Sequence, residues 1–174
     1  WLERGTQADL REILATKGWD AFVVKPTISA GSFATVRGRR DDLTNAQRHL
    51  GEQLAARDMM VQRYVASVED YGERALVCID GAITHAVRKT PRFTGQSEQV
   101  SQAIAVAEDE ARFAHEVLTR VPCDDLLYAR IDVARDDTGG LLVMELELIE
   151  PSLFLRQSTV ALDRFASAIA RLAL

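Results

Sequence analysis

The chain has 174 residues, of which 47% are hydrophobic and 27% are charged, and its formal net charge at pH 7 is −5. This is the composition of an ordinary globular protein that can bury a substantial core as one or two compact units. Lysine and arginine are spread along the chain with no dense basic block, which argues against non-specific binding of nucleic acid. An anionic ligand is not excluded, because only the local charge matters at a binding site.

The cysteines and the hydropathy pattern give expectations about the surroundings of the protein. Cys78 and Cys123 form no Cys-x-x-Cys or Cys/His cluster and are interpreted as two reduced thiols. The sequence has no signal-peptide pattern and no stretch of membrane-spanning length, so we expect no membrane contact and a cytoplasmic location by default. Because a helical pattern follows almost directly after Trp1, we also expect an upstream domain to be missing from this chain.

The first 65 residues predict an α+β unit in the order helix, strand, strand, helix, strand. The predicted elements are a helix over 7–17 ending at Gly18, strands over 21–25 and 33–36, a helix over 41–57 capped by Asp41 or Asp42, and a strand over 59–65. Pro26 ends the first strand, and a loop of small residues follows over 27–31.

Residues 66–174 predict a second α+β unit with a mostly antiparallel sheet. Asp80-Gly81 separates predicted strands over 74–79 and 82–87, which is a strong hairpin signal. The predicted elements that follow are a polar loop over 91–99, an amphipathic helix over 101–119, a strand over 126–133, a turn over 136–140, a strand from Leu141 and a helix over 159–174.

Three carboxylates are expected to meet on the hairpin formed around the turn at 136–140. Glu145 and Glu147 are two residues apart on a strand and therefore share a face, and folding of the hairpin could bring Asp132 beside them. Carboxylates packed together repel each other and lose hydration, so they favour a bound cation. All-oxygen ligands favour Mg²⁺ or Mn²⁺ over zinc. The alternative is an amphipathic strand with solvated glutamates.

A second group of residues could contact phosphate. Lys25 ends an apolar strand and can deliver one positive charge to a phosphate group. Ser29, Gly31 and Ser32 belong to the following loop, whose backbone N–H groups can approach phosphate oxygens closely. The loop is not a Walker A sequence. The alternative for Lys25 is a solvated lysine before a turn.

The segment 62–65 connects the two predicted units. A strand that becomes a connector presents unpaired backbone groups, which can bind the edge of an adenine ring. Glu69 or Glu73, just beyond it, could hydrogen-bond ribose hydroxyls. An ordinary edge strand is the alternative interpretation.

Two cations could join the carboxylates. Arg88 and Lys89 are adjacent on a strand and point to opposite faces, so only one of them can share a site with the carboxylates. Arg130 lies two residues before Asp132 and shares its face. A cation beside a metal-binding carboxylate suits a site that also receives phosphate oxygens.

Three features follow one another along the chain: a lysine after an apolar strand, a Gln-x-Tyr connector, and an Asp followed by Glu-x-Glu. In this order they resemble the ATP-grasp superfamily, particularly its glutathione-synthetase-like and ribosomal-protein glutamate-ligase-like members. Glu145-Leu146-Glu147 is similar to the Glu-x-Asn metal motif of that family, with Glu in place of Asn. The segments 128–132 and 144–154 resemble a bacterial branch that includes the cyclo-ligase of cycloserine biosynthesis. The resemblance implies a fold in which two α+β subdomains, here 1–65 and 66–174, clamp a nucleotide.

The resemblance also implies a function: an ATP-dependent ligase that joins a carboxylate to an amine or similar nucleophile through an acyl phosphate, with Mg²⁺ or Mn²⁺. The implied partners are ATP and small-molecule carboxylate and amine substrates, and formation of a homo-oligomer is left open. The implied sites are Lys25 with the lid over 29–32 for the phosphates, Gln62, Arg63, Tyr64 and Val65 for adenine, Glu69 or Glu73 for ribose, Lys89 and Arg130 beside the transferred phosphoryl group, and Asp132, Glu145 and Glu147 for two Mg²⁺ ions.

Two departures from the family pattern keep other interpretations open. Ala75 stands where the glutathione-synthetase pattern has an arginine, and Arg74, one residue away, faces the other side of the strand. The segment 91–97 lacks the Gly-Gly loop that usually touches substrate or phosphate. A catalytically weak ATP- and Mg²⁺-binding accessory or regulatory module is therefore the first alternative, and a structural domain without a nucleotide is the second.

Overall fold

A computed structural model describes residues 1–29, 32–90, 99–123 and 125–173. The chain divides after Tyr64 into two compact units, the first beginning at Trp1 and the second at Val65. Among the described helices, none combines the length and the apolar character that crossing a membrane requires.

The first unit is a three-stranded antiparallel sheet with two helices packed on one face. Its elements are α1 (Leu10–Lys17), β1 (Ala21–Pro26), β2 (Val36–Arg39), α2 (Thr44–Leu54) and β3 (Met59–Arg63), and β1 is the central strand. Alternate residues of β1 are buried, as a strand covered on one face requires. The core is the buried cluster Leu10, Leu14, Phe22, Val24, Ala46, Leu50, Leu54 and Met59.

Local interactions explain where the first unit follows its sequence pattern and where it does not. The predicted stop of α1 at Gly18 is confirmed, because Gly18 adopts the left-handed conformation at φ 67°. The predicted caps Asp41 and Asp42 are wrong: α2 begins at Thr44, and no side chain caps it. The predicted strand over 33–36 is also misplaced, since Ala34 has φ 52° in a turn and β2 begins only at Val36.

Gly38 on β2 makes room for the largest side chain of this core. Gly38 pairs directly with Phe22 on β1, so the two residues face the same side of the sheet. A Cβ atom at Gly38 would lie 2.4 Å from the ring carbon Cζ of Phe22. The ring therefore occupies the volume that any side chain at position 38 would need.

The second unit is a four-stranded antiparallel sheet in the order β5-β4-β6-β7. Its strands are β4 (Glu73–Ile79), β5 (Ala82–Lys89), β6 (Tyr128–Arg135) and β7 (Leu141–Glu147), and its longer helices are α3 (Glu108–Leu118) and α4 (Thr159–Leu172). Apolar side chains from alternate positions of β4 pack on both faces. Leu76 and Cys78 lie in the cluster with α3, and Val77 and Ile79 lie in the cluster with α4.

The β4–β5 hairpin confirms the prediction made from Asp80-Gly81. Both turn residues have positive φ, 51° and 74°, as the favoured two-residue hairpin turn requires. The predicted helix over 101–119 is too long at its start, because Ile104 instead forms a β-bridge with Ala86 of β5. The helix begins at Glu108, where the carboxylate of Glu110 accepts a hydrogen bond from the Ala107 amide at 2.8 Å.

Candidate functional site

Ionisable side chains converge on one face of the second unit's sheet. Cross-strand pairing sets this face, because directly paired residues of antiparallel strands point to the same side. Glu73 pairs with Lys89, Asp132 with Glu145, and Arg130 with Glu147. Ala75 lies two residues after Glu73 on β4 and pairs with Asp132 on β6. The Glu73–Lys89 pair therefore lies on the same face of the sheet as the other two pairs. The cluster consists of Glu73, Lys89, Arg130, Asp132, Glu145 and Glu147.

A β-bulge in β7 sets the position of its two glutamates. Asp132 pairs with Glu145, whereas the next residue, Val133, pairs with Val143, so Met144 is the extra residue. In a regular strand Val143 would share a face with Glu145. The bulge instead puts Val143 on the side of buried Val133 and leaves Glu145 on the side of Asp132.

Arg130 holds three carboxylates of the cluster. Its Nε lies 2.8 Å from Asp132 Oδ1 and its Nη2 lies 3.0 Å from Asp132 Oδ2, which is a bidentate pair. The same Nη2 lies 2.5 Å from Glu147 Oε1 and 3.3 Å from Glu145 Oε2. The Asp132 side chain is fully buried, so Arg130 fixes its orientation.

Lys89 bridges the other side of the same cluster. Its Nζ lies 2.5 Å from Glu73 Oε1, 2.7 Å from Asp132 Oδ2 and 3.4 Å from Glu145 Oε2. Only 14% of its side chain is exposed. Neighbouring Arg88 lies on the opposite face and reaches the backbone oxygen of Asp70, as strand alternation predicts.

Burial and charge shift the pKa values of the cluster. Burial raises the pKa of the Glu73 carboxyl, which Lys89 only partly opposes. Burial also raises the pKa of Glu147, although Arg130 acts in the opposite direction. For Lys89, burial alone would lower the pKa, but Asp132, Glu73 and Glu145 raise it by more. The four carboxylates exceed the two cations, so the face carries an excess of negative charge.

The donor atoms fit a hard divalent cation. Glu73, Asp132 and Glu145 each offer one carboxylate oxygen, and these oxygens all lie within 4.8 Å of one another. Oxygen donors at this spacing suit Mg²⁺ or Mn²⁺. The site is reachable from solvent, since 46% of the Glu145 side chain is exposed. Glu147 contacts Arg130 and is not among these three oxygen donors. Glu73 is among them, although the sequence suggested it only for ribose binding.

Two of the phosphate and adenine candidates of the first unit lie on the sheet face away from its core. Lys25 pairs with Met60, and Gln62 pairs with Val23, which places both residues on that face. Arg63 pairs with buried Phe22 and therefore lies on the opposite face. Ser29 is exposed beyond the end of β1.

The remaining candidates occupy turns and connectors. Ser32 lies in a turn with φ 60°, whereas the predicted lid residue Gly31 is outside the described residues. Val65 precedes a short 3-10 helix, Ala66–Val68, and Glu69 follows that helix as an exposed residue. The polar loop predicted over 91–99 lies outside the described residues up to position 98.

Sequence reasoning missed the partner of Tyr64. The guanidinium of Arg37 on β2 stacks 3.7 Å from the centre of the Tyr64 ring and donates a hydrogen bond to its hydroxyl at 3.1 Å. The alternation of Arg37 and Arg39 along a short strand is the signal that could have placed both on the face of Lys25.

Arg74 lies away from the carboxylate cluster, as its parity on β4 predicts. It pairs with Glu110, Nε to Oε1 at 2.5 Å, and Glu110 also accepts a hydrogen bond from the Tyr71 hydroxyl. The Glu110 side chain is 1% exposed. These residues therefore join β4 to α3 on the other side of the sheet.

Comparisons with known proteins found a sequence relative and a solved structure that each match most of this chain. No protein-family model matches it. The cycloserine biosynthesis protein DcsG of Streptomyces lavendulae is 34% identical over 165 residues, a match that covers 86% of this chain and 54% of that protein. The crystal structure of D-cycloserine synthetase DcsG superposes with a TM-score of 0.82 at 32% identity, covering 98% of this chain and 62% of that one. This chain thus spans little more than half the length of the relatives it matches.

More distant structures share the fold. The ATP-grasp ligase PsnB, complexed with minimal precursor, Mg and ADP, has a TM-score of 0.64 at 16% identity and covers 99% of this chain and 54% of that one. D-alanine–D-alanine ligase from Bacillus anthracis, complexed with ATP, has a TM-score of 0.64 at 19% identity, with coverages of 97% and 56%. The α+β architecture with antiparallel sheets agrees with the resemblance found in the motifs. The chain therefore belongs to the ATP-grasp superfamily and has its fold.

Proposed function

We propose that this chain is the ATP-binding part of a ligase that joins a carboxylate to an amine, or to a similar nucleophile, through an acyl phosphate. The observation that supports the proposal is the partly buried cluster in which Lys89 and Arg130 lie among four carboxylates. Such a cluster combines ligands for a divalent cation with positive charge for phosphoryl oxygens. The similarity to a cycloserine synthetase adds support for a ligase, although this chain spans only part of that protein.

In this proposal Asp132, Glu145 and Glu147 hold Mg²⁺, with Mn²⁺ as a substitute. When bound, the metal neutralises negative charge on the phosphate chain of ATP. Arg130 orients the Asp132 carboxylate through its two hydrogen bonds, so that the ligand does not need to be ordered when the metal arrives.

The nucleotide contacts follow the family resemblance. Lys25 would contribute one positive charge to the phosphates, and the loop that follows it would contribute backbone N–H groups. The proposed contacts are Lys25, Ser29, Gly31 and Ser32 for phosphate, Gln62, Arg63, Tyr64 and Val65 for adenine, and Glu69 or Glu73 for ribose.

The chemistry needs no covalent nucleophile on the protein. An oxygen of the substrate carboxylate attacks the γ-phosphorus of ATP, and the bond to the bridging oxygen breaks to release ADP. The amine then attacks the acyl carbon, inorganic phosphate leaves, and the nitrogen loses its proton. Lys89 and Arg130 would stabilise the charge on the transferred phosphoryl group, so the protein acts by positioning and by charge.

Glu145→Gln tests the metal assignment. We expect the variant to lose the Mg²⁺-dependent part of ATP binding and to keep its fold, because this side chain is partly exposed and makes only 3.3–3.4 Å contacts to cations. ATP binding by calorimetry, with Mg²⁺ and with a chelator, gives the measurement. Glu150→Gln, a nearby exposed carboxylate, is the matched control. Equal ATP affinity in the Glu145→Gln variant and its parent in the presence of Mg²⁺ would remove the assignment.

A catalytically weak nucleotide-binding module is the second candidate. Ala75 favours it, because this residue pairs with Asp132 at the position where the glutathione-synthetase pattern has an arginine. ADP release by the full-length protein, measured with and without candidate amines, separates the two. Release that depends on an amine supports the ligase, and Mg-ATP binding without release supports the module.

A domain without any nucleotide is the remaining alternative. A ligand present at 100 times its Kd stabilises the folded state by about 2.7 kcal/mol, which a thermal unfolding experiment detects. No stabilisation by Mg-ATP would overturn both the ligase and the module.

A further inference from the structure

The ammonium group of Lys89 lies among the same three carboxylates that could hold a metal ion. Glu73, Asp132 and Glu145 bring their oxygens within 4.8 Å of one another, and Lys89 Nζ contacts all three at 2.5, 2.7 and 3.4 Å. In the absence of a divalent cation, this ammonium contacts all three carboxylates, and Arg130 adds a second positive charge at Asp132 and Glu145.

An ammonium and a divalent cation cannot both use these oxygens without a cost. Two positive charges a few ångströms apart repel each other, and the repulsion grows as water is excluded. Lys89 is 14% exposed and Asp132 is fully buried, so solvent screens this part of the cluster only weakly. A cation that binds Asp132 and Glu145 must consequently weaken their contacts with Lys89.

The geometry points to Glu73 as the partner that Lys89 keeps. Glu73 makes the shortest of the three contacts, and the two residues are directly paired across β4 and β5. Asp132 and Glu145 pair with each other across β6 and β7. The cluster thus contains one cross-strand pair that holds the ammonium and another that offers oxygens to a metal.

We propose that Lys89 is an internal cation of the metal site, displaced from Asp132 and Glu145 when a divalent cation binds, and that Glu73 is its anchor. The inference rests on the proposed function, which supplies the metal. It assigns Glu73 to positioning Lys89 and leaves Glu69 as the ribose candidate.

The exchange couples metal and nucleotide binding. Without nucleotide, the metal competes with Lys89 for the carboxylates. ATP offers phosphate oxygens as new partners for the displaced ammonium, so ATP strengthens metal binding. By linkage, the metal strengthens ATP binding by the same factor.

Binding of Mn²⁺ without nucleotide, followed by electron paramagnetic resonance, tests the proposal on the full-length protein. Lys89→Met should bind Mn²⁺ more tightly than the parent, on the order of tenfold, because the competing charge is gone. Adding ATP should increase the Mn²⁺ affinity of the parent by a larger factor than that of the variant. Lys17→Met, which removes an exposed lysine of α1 that belongs to no proposed site, should leave nucleotide-free Mn²⁺ binding unchanged. Lys89→Gln repeats the measurement with a neutral polar side chain in case Lys89→Met fails to fold.

Glu73→Gln tests the anchor. With Lys89 present, the substitution should weaken Mn²⁺ binding, because the ammonium then stays with Asp132 and Glu145. In the Lys89→Met background, it should weaken Mn²⁺ binding by a smaller factor, because no ammonium is left for Glu73 to hold away from Asp132 and Glu145. Equal weakening in both backgrounds would show that Glu73 ligates the metal directly and would overturn its role as an anchor.

The outcomes separate this inference from the function on which it rests. If the parent binds Mn²⁺ with ATP but Lys89→Met and Lys89→Gln gain no affinity for Mn²⁺ alone, the internal-cation proposal is wrong and the proposed function stands. If parent and variants bind no Mn²⁺ with or without ATP, the metal site fails and the inference fails with it.

Discussion

The outward sheet face of the first unit and the carboxylate face of the second carry charge in opposite ways. Along β1 and β2, the first unit presents Lys25, Arg37 and Arg39 on the side away from its helices. The second unit presents Asp132 with three glutamates, and its two cations are already paired with them. A cationic face can bind an anion such as phosphate directly. A carboxylate face can bind it only after a further cation has been added, so the proposed function places the metal on the second face and not on the first.

Burial adds to the difference in charge between the two faces. Arg37 and Arg39 are exposed, so water and salt screen their charges. Arg130 and Asp132 are buried at 5% and 0% exposure and bind each other through two hydrogen bonds. The second face therefore depends on its ion pairs for stability, whereas the first does not.

Removal of the buried carboxylate should have the largest effect. Asp132→Ala removes the fully buried carboxylate that Arg130 and Lys89 share, and breaking a buried ion pair typically costs about 3–5 kcal/mol. Urea unfolding followed by circular dichroism gives the free energy of unfolding. Asp41→Ala breaks the exposed pair with Arg39, 3.4 Å apart, and should change that free energy by only about 0–1 kcal/mol. Similar losses in both variants would refute the contrast between the two faces.

Lys25→Met on the first face and Glu145→Gln on the second should differ in how their effects on ATP affinity depend on Mg²⁺. Losing a charged hydrogen bond to phosphate costs about 1.5–3 kcal/mol, or roughly 10- to 150-fold in ATP affinity. Because the proposed function has Lys25 contact phosphate without the metal, the loss of ATP affinity should be the same with Mg²⁺ and with a chelator, whereas the loss caused by Glu145→Gln should vanish in the chelator. Calorimetry under the two conditions measures both. A Lys25→Met effect confined to Mg²⁺ would show that the first face also acts through the metal.

The sequence alone was sufficient for features that depend on local periodicity. The positive φ of Asp80 follows from its Asp-Gly turn, and the shared face of Glu145 and Glu147 follows from the two-residue period of a strand. The order of Lys25, the connector at 62–65 and the carboxylates was enough to indicate the superfamily.

The features that the sequence did not reveal depend on distant partners. The bulge at Met144 exists only in the pairing of β7 with β6. Without it, the two-residue period of the strand would place Val143 on the same face as Glu145. The pattern of α3 extends back to Ser101, but pairing of Ile104 with β5 takes those residues out of the helix. The surroundings of Glu73 could not be inferred, because its partner Lys89 and the neighbouring carboxylates Asp132 and Glu145 lie on three different strands.

Gly38→Ala tests how tightly the core of the first unit packs against β2, the strand that carries Arg37 and Arg39. The new methyl group would collide with the Phe22 ring, and overpacking of this kind costs about 1–3 kcal/mol. Gly51→Ala in α2 meets nothing within 4 Å and should instead stabilise by about 0.5–1 kcal/mol. Thermal unfolding of the two variants distinguishes the signs. An unchanged Gly38→Ala protein would mean that the ring moves aside freely.

The opposite face of the second unit's sheet offers the smallest and most specific test, because it also contains a buried carboxylate with an arginine partner. Burial and the hydrogen bond to Glu110 raise the pKa of Tyr71 from 10.0 to about 12. A raised pKa favours the protonated folded state, so the stabilisation is complete below the unfolded pKa. It is lost as the pH rises through the folded value, and the free energy of unfolding should therefore fall between pH 10 and about 12.

Spectroscopic titration of tyrosinate checks this directly. The parent should show a component that ionises near pH 12, and Tyr71→Phe should remove this component together with the fall in stability. Tyr128→Phe, a tyrosine whose hydroxyl donates to the backbone oxygen of Ile149, should retain both. If Tyr71→Phe leaves the curve unchanged, Tyr71 is not held in its protonated form by Glu110. Buried charge in the second unit would then shift the pKa of neighbouring groups only on the face that carries Asp132. The difference in buried charge between the two units would hold for that face alone.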